Sequence, residues 1–415
     1  MADLDNDART VELMNLSADR RHALDARLRA TGRGWADAES ALRGCPGRLQ
    51  VAHDRSGLTS AARVPDDYSV LARSLGLYPL AAVPVALGFT RWRRLNLPAF
   101  EVPVGEEAVG GRPTVFQPRA AGDGVAAEEV RRLLGRAAEA DPLGIPDLGD
   151  SDLRRLAEAF APTLLVDTRS AADRIGHPFW REDGLPGVDP ARPVAFVRLE
   201  HGWFEGRPIA QLVYLFWFDA RPPEGWIDLL AGRLDGLVWR VSLGHDGHPV
   251  MYDTIHACGC YHLFFPAPGV HLRPLPENDP ADPRDPVLVP ASAGWQAPAE
   301  RALVRLAPDS HYVTGIGALA GEARPDAETV AYHLVIGDEL PDLALRSMPL
   351  PEGGRRSLYG PDGIVPGTER GERVLLWPMG ILEPGAMRQW GRHPTAFVGR
   401  RHFDDPYLID RAFTR

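Results

Sequence analysis

His256, Cys258, Cys260 and His262 stand at strict two-residue intervals in a 415-residue chain that has only three cysteines. Imidazole and thiolate together suit zinc, and also copper or iron, so the row predicts a divalent transition-metal site with zinc foremost. Geometry limits what the row can do alone. At about 3.3 Å per residue an extended strand would hold His256 and His262 about 20 Å apart, so only neighbours two apart could share an ion unless Gly259 breaks the strand, which glycine favours. A more economical site takes two ligands from the row and others from an adjacent strand. His201 is the candidate there, with Glu200, Asp235 or Asp253 able to add a carboxylate. An open coordination position would activate water, with Glu200 and Tyr252 as candidate catalytic proton carriers.

The leading function on this reading is a metal-dependent enzyme, a hydrolase or an oxidase, acting on a small-molecule substrate. Two other readings stand beside it. Cys258 and Cys260 could form a redox pair, since a disulfide across a single glycine is strained and therefore reactive. Alternatively the row is structural, with cysteines behaving as small buried hydrophobes, and the chain is a non-catalytic β-sheet ligand-binding protein. Near the C-terminus, Arg388, Arg392, Arg400 and Arg401 gather as candidate substrate-binding groups, because guanidinium forks grip carboxylate or phosphate. An internal salt-bridge network with Asp404 and Asp405 is the competing use of the same residues.

The elements that must position these groups follow from periodicity. Val194 to Trp203 and Ile209 to Phe218 read as strands joined by a turn at Glu205 to Pro208, and Leu237 to Leu243 and Val250 to His256 as a second hairpin. Gln211 to Phe218 is apolar at odd and even positions alike, so both of its faces are covered. Residues 9–45 read as helix, as do segments near Ala126 to Ala140 and Asp152 to Phe160 with Ser151 as cap. Short strands are expected at Ala302 to Leu306, Tyr312 to Gly315 and Val330 to Val335. The fold class is α+β: a mainly helical N-terminal region (1–160), a mainly antiparallel β-meander or sandwich core carrying the His/Cys row (161–345), and an irregular Arg/Gly/Pro-rich C-terminal segment packing on it (346–415).

Composition narrows the function classes. The net charge of −10 argues against nucleic acid, whose binding needs a basic surface, and against a general affinity for anionic membranes. The chain has no lysine, which removes Schiff-base, phosphate-loop and Ser-x-x-Lys chemistry. The acidic N-terminus lacks a secretory signal, and three cysteines make no disulfide framework, so the expected setting is cytoplasmic. The longest apolar run, Leu75 to Phe89, is interrupted by Pro79 and Pro84 and is too short to span a bilayer. It reads as a buried core segment, the alternative being an interfacial anchor in which Arg91, Arg93 and Arg94 meet the headgroups.

Overall fold

Tight turns build the centre of the molecule. Strands β5 (Val194–Phe204) and β6 (Arg207–Arg221) form a hairpin whose two turn residues, Glu205 and Gly206, both have positive φ, the geometry that matches the twist of the flanking strands. Strand β7 (Gly232–Leu243), β8 (Pro249–His256) and β9 (Leu263–Pro266) continue antiparallel from β6. Both faces are covered, as the apolar sequence of β6 requires: Tyr214, Phe216 and Phe218 enter the main core on one side, while Val213 and Trp217 meet residues such as Phe403 and Met387 on the other.

The computed structural model describes residues 18–34, 67–105, 110–119, 124–141, 143–273, 285–291, 301–318, 326–336 and 341–415. Within them the meander is one part of a larger sheet. Further strands are β1 (Arg112–Pro118), β2 (Thr163–Thr168), the hairpin of β3 (Ile175–Trp180) with β4 (Pro186–Asp189), a two-residue β10 (His271–Leu272), β11 (Ala302–Leu306), β12 (Val313–Ala318) and β13 (Glu328–Val335). All but β10, which pairs with Phe413–Thr414, belong to one sheet whose main path runs β12-β11-β2-β1-β13-β5-β6-β7-β8-β9. The pairs β1/β13, β2/β11 and β5/β13 are parallel. The expected mainly antiparallel meander or sandwich is therefore corrected to a curled, mixed sheet. Curling brings Ile316 near one end and Phe265 near the other into one hydrophobic cluster, bridged by Phe100, whose ring lies 5.8 Å from that of Phe265.

The helices follow their sequence patterns closely where tertiary packing agrees. Helix α1 (Ala18–Ala30) lies within the expected N-terminal helix and ends in a turn at residues 31–32, where Gly32 has positive φ; residues 9–17 and 35–45 of that expectation fall outside the described residues. Helices α2 (Val70–Leu75) and α3 (Tyr78–Asn96) come next, then α4 (Ala127–Ala140) and α5 (Asp150–Phe160). Helices α4 and α5 bury Val130, Leu133, Leu134, Leu153 and Leu156 at helical spacing against the sheet. Helix α3 behaves differently. Only Ala82 of its 19 residues is fully buried, so the segment expected to be core is a surface helix. No helix among the described residues is long and apolar enough to cross a membrane.

Candidate functional site

The His/Cys row leaves the extended conformation at its second member. Strand β8 ends at His256, the His256 carbonyl accepts from Gly259 N–H at 2.7 Å, the His256 N–H donates to the Cys260 carbonyl at 2.9 Å, and β9 returns antiparallel with Thr254 opposite Leu263. Gly259 makes this turn possible. Its φ is +90°, and a Cβ there would lie 2.5 Å from the Pro394 carbonyl oxygen. Gly259→Ala is expected to destabilise the chain by about 1–2 kcal/mol through strain and this close approach, measured by chemical denaturation; wild-type stability would show that the turn adapts freely.

The turn does not gather ligands. Among the described residues no group of three or more His, Cys, Asp or Glu side chains is arranged to hold a metal ion. The nitrogens and sulfurs of the row are directed to separate tasks. His256 Nδ1 faces Asp235 Oδ1 at 3.3 Å, His262 Nε2 donates to Asp253 Oδ2 at 2.8 Å, and the half-buried His201 has its Nε2 3.3 Å from the Pro146 carbonyl. Asp253 thus anchors His262 and Asp235 bridges His256 to His311, instead of the two carboxylates completing a shared metal site. Cys258 and Cys260 are free thiols, and the neighbouring Cys258 together with burial pushes the Cys260 thiol well above its ordinary range, opposite to the thiolate that metal binding and disulfide exchange require. The metal-dependent hydrolase or oxidase, its zinc, copper or iron cofactor, and the Cys258/Cys260 redox protein are all overturned by this arrangement.

The remaining expected site residues are dispersed. Glu200 pairs with its neighbour Arg198 at 2.5 Å on β5. Tyr252 is buried in the main core, where desolvation raises its hydroxyl pKa. Arg388 is 1% exposed and donates to the carbonyls of Leu382 and Glu383; Arg392 pairs with Asp67 at 3.0 Å; Arg400 lies over the Tyr68 ring. Arg401 donates to the carbonyls of Asp285 and Thr395. Of the four arginines only Arg401 lines the cavity beside the 258–262 turn.

That cavity has a volume of about 570 Å³ and lies between helix α3, the 258–262 turn and the C-terminal segment. Ala81, Val85, Phe89 and Trp92 of α3 form one wall, and Leu375, Leu376, Ile381 and Phe397 form much of the opposite one. Polar groups enter at few places: Glu372, Tyr261, His262, Asp285 and Arg401. This is the composition of a small-molecule site, apolar walls with a few convergent polar groups. Burial raises the Glu372 carboxyl to about 7, against the opposing pull of Arg221 and Arg370. Tyr261 accepts from the Tyr312 hydroxyl at 2.6 Å, and Tyr312 accepts in turn from Arg221 Nη1 at 3.1 Å. Burial holds both phenols in the neutral form, above their usual pKa. Two buried nitrogens on lining residues have no partner, Trp92 Nε1 and His262 Nδ1. Burial lowers the His262 pKa to about 4 despite the Asp253 carboxylate. The ring is then neutral at pH 7, with Nε2–H given to Asp253 and Nδ1 left as an acceptor.

Behind the tyrosines runs a second buried chain of charge. The His256 ring lies 5.1 Å from Tyr261 and 5.4 Å from Tyr312. Asp235 links it to His311, whose Nδ1 is 2.9 Å from Asp235 Oδ2 and whose Nε2 is 3.4 Å from Asp173 Oδ1. Burial opposes the charges of His311, Asp235 and Asp173, but the hydrogen bonds and opposite charges outweigh it: His311 is raised, Asp235 is held well below the carboxylate range, and Asp173 falls to about 2. The charged chain gives the tyrosine end of the cavity a rigid backing.

Comparison with family models, curated proteins and solved structures found no match for this chain. The functional reading therefore rests on geometry. Sequence periodicity missed the cavity's helical wall and Glu372, because neither carries a motif; the apolar run ending at Phe89 was the only signal, and it reads equally as core.

Proposed function

We propose that this chain binds a largely apolar small molecule that carries one or two hydrogen-bonding groups. The carrying observation is the cavity of about 570 Å³ whose walls are apolar and into which few polar residues enter, Glu372 and Tyr261 among them. The Glu372 carboxyl and the Tyr261 hydroxyl are the lining groups chemically suited to hydrogen-bond a ligand there. The volume suits a ligand of drug-like size, for which burial of apolar surface supplies affinity and the few polar contacts supply orientation.

Filling the cavity tests the reading. Gly88 lies on α3 among the lining residues, and a Cβ there meets no atom within 4 Å. Gly88→Phe is expected to weaken binding of a neutral apolar dye such as Nile red by about tenfold, while helix stability is kept or slightly raised because glycine is the poorer helix former. Fluorescence titration gives the first result and thermal denaturation the second. Dye affinity unchanged in a folded Gly88→Phe protein, or no dye binding by the wild type, would sink the proposal. Mass spectrometry of solvent extracts from the purified protein identifies any molecule that it retains.

A further inference from the structure

Helices α2 and α3 carry an apolar surface that the described residues leave uncovered. Leu71, Leu75, Leu77, Leu80, Val83 and Leu87 are between 58% and 70% exposed. On α3 the outward stripe runs Leu80, Val83, Leu87, Arg91 and Arg94 at intervals of three and four, whereas Ala81, Val85, Phe89 and Trp92 turn toward the cavity. The helix is thus apolar on both sides, which is ordinary for a buried helix and not for one facing water.

The surface continues beyond the helices. Pro378 packs on Gly76, and the Met379 carbonyl accepts from Arg73 Nε at 2.8 Å; the same C-terminal segment presents Val374 at 70% and Trp377 at 43% exposure. Glu372 N–H donates to the Leu229 carbonyl at 3.0 Å, joining that segment to the loop in which Trp226 is fully exposed and Ile227 is 86% exposed. Charge selects the partner. Residues 68–100 contain four arginines (73, 91, 93 and 94) and no aspartate or glutamate, in a chain whose net charge is −10. Beyond about a Debye length the rest of the chain is screened, so the charge beside the apolar face decides what approaches it.

We propose that this face docks on an anionic phospholipid surface, with Leu80, Val83 and Leu87 in the acyl boundary, Trp226 and Trp377 at headgroup level and Arg91 and Arg94 against lipid phosphates. The docking is peripheral and reversible, since α3 lies along the surface instead of crossing it. It does not rest on ligand binding in the cavity, because Leu80, Val83 and Leu87 lie outside the lining.

Sedimentation of the full chain with vesicles of phosphatidylcholine alone, and of phosphatidylcholine mixed with phosphatidylglycerol, tests the proposal. The expected result is binding to the mixed vesicles that falls with added salt and weakens by about tenfold or more in Leu80→Glu/Leu87→Glu and in Arg91→Gln/Arg94→Gln. These side chains are exposed or at the helix surface, so the variants should keep the wild-type thermal transition and Nile red affinity. Absence of binding to either vesicle, or binding unaffected by Leu80→Glu/Leu87→Glu, would overturn it. So would concentration-dependent self-association that this double variant abolishes in a protein that ignores vesicles, since a second copy would then be what covers the face.

Discussion

Replacing Asp253 with alanine is expected to lower the stability of the chain by about 3–5 kcal/mol, the loss seen when one member of a buried ion pair is removed. Arg240 and Asp253 face each other across β7 and β8. The guanidinium donates from Nε to Oδ1 at 2.8 Å and from Nη2 to Oδ2 at 2.5 Å, with Nη1 on the Phe403 carbonyl at 2.7 Å. Arg240 is 1% exposed and Asp253 is fully buried, so alanine would strand a guanidinium in the core with no carboxylate. The double replacement Arg240→Met/Asp253→Leu should cost far less than the single one, because apolar groups of similar size remove both charges at once. Urea denaturation of the wild type and the two variants separates these outcomes; equal losses in the single and double variants would show that packing, not the unpaired charge, sets the cost.

The same carboxylate gives the chain a defined acid sensitivity. Burial works against ionised Asp253, but Arg240 and His262 outweigh it and lower its pKa. Its contribution to stability is therefore present above the unfolded carboxylate pKa and lost as pH falls through the lower, folded value. His262 acts earlier. Its folded pKa is about 4 against about 6.5 for an unfolded histidine, so between these values the unfolded chain takes up a proton that the folded chain refuses. Stability should decline as pH falls from about 6.5 toward 4, and His262→Gln should flatten that limb. Asp253 also fixes the tautomer of His262, with Nε2–H given to Oδ2.

What could be read from the sequence, and what could not, divides along the range of the interactions involved. The hairpins around Glu205-Gly206 and Asp246-Gly247, the helices ending at Ala140 and Phe160, and the double-sided burial of Gln211 to Phe218 are set within a dozen residues by period and turn chemistry. The α+β class with N-terminal helices followed from them. The parallel pairings of β13 with β1 and β5 join strands more than a hundred residues apart, and no local pattern announces them. The His/Cys row failed for a related reason. Spacing places ligand-type residues near one another, but the partner of each nitrogen is decided by other strands: Asp235 claims His256, and Asp253 claims His262. Both aspartates stood among the carboxylates expected near the row, as metal ligands instead of hydrogen-bond acceptors. Glu372 was invisible, since only the tertiary fold buries it beside Tyr261.

Glu372→Gln is expected to stabilise the chain by about 2 kcal/mol at pH 8 while leaving it nearly unchanged at pH 5. The carboxyl is half-buried on the cavity wall and titrates at about 7, because burial disfavours its charge more than Arg221 and Arg370 favour it. In the unfolded chain it ionises near 4.3. Between about 4.3 and 7 the folded chain holds a proton that the unfolded chain has released, so wild-type stability falls as pH rises through this window. Glutamine keeps the shape and hydrogen-bonding capacity of the protonated acid but cannot ionise, and the decline should disappear with it. Partial hydration at the cavity is why the expected gain is smaller than the whole shift implies. The cavity should report the same event. A neutral apolar dye should bind the wild type more weakly above pH 7 than below it, as an anion appears in the wall, whereas its affinity for Glu372→Gln should be level across that range. Stability and dye binding that both keep their wild-type pH dependence in Glu372→Gln would assign the titration to another group. A stability profile that flattens while dye binding does not would place Glu372 in the fold's energetics and outside the ligand's reach.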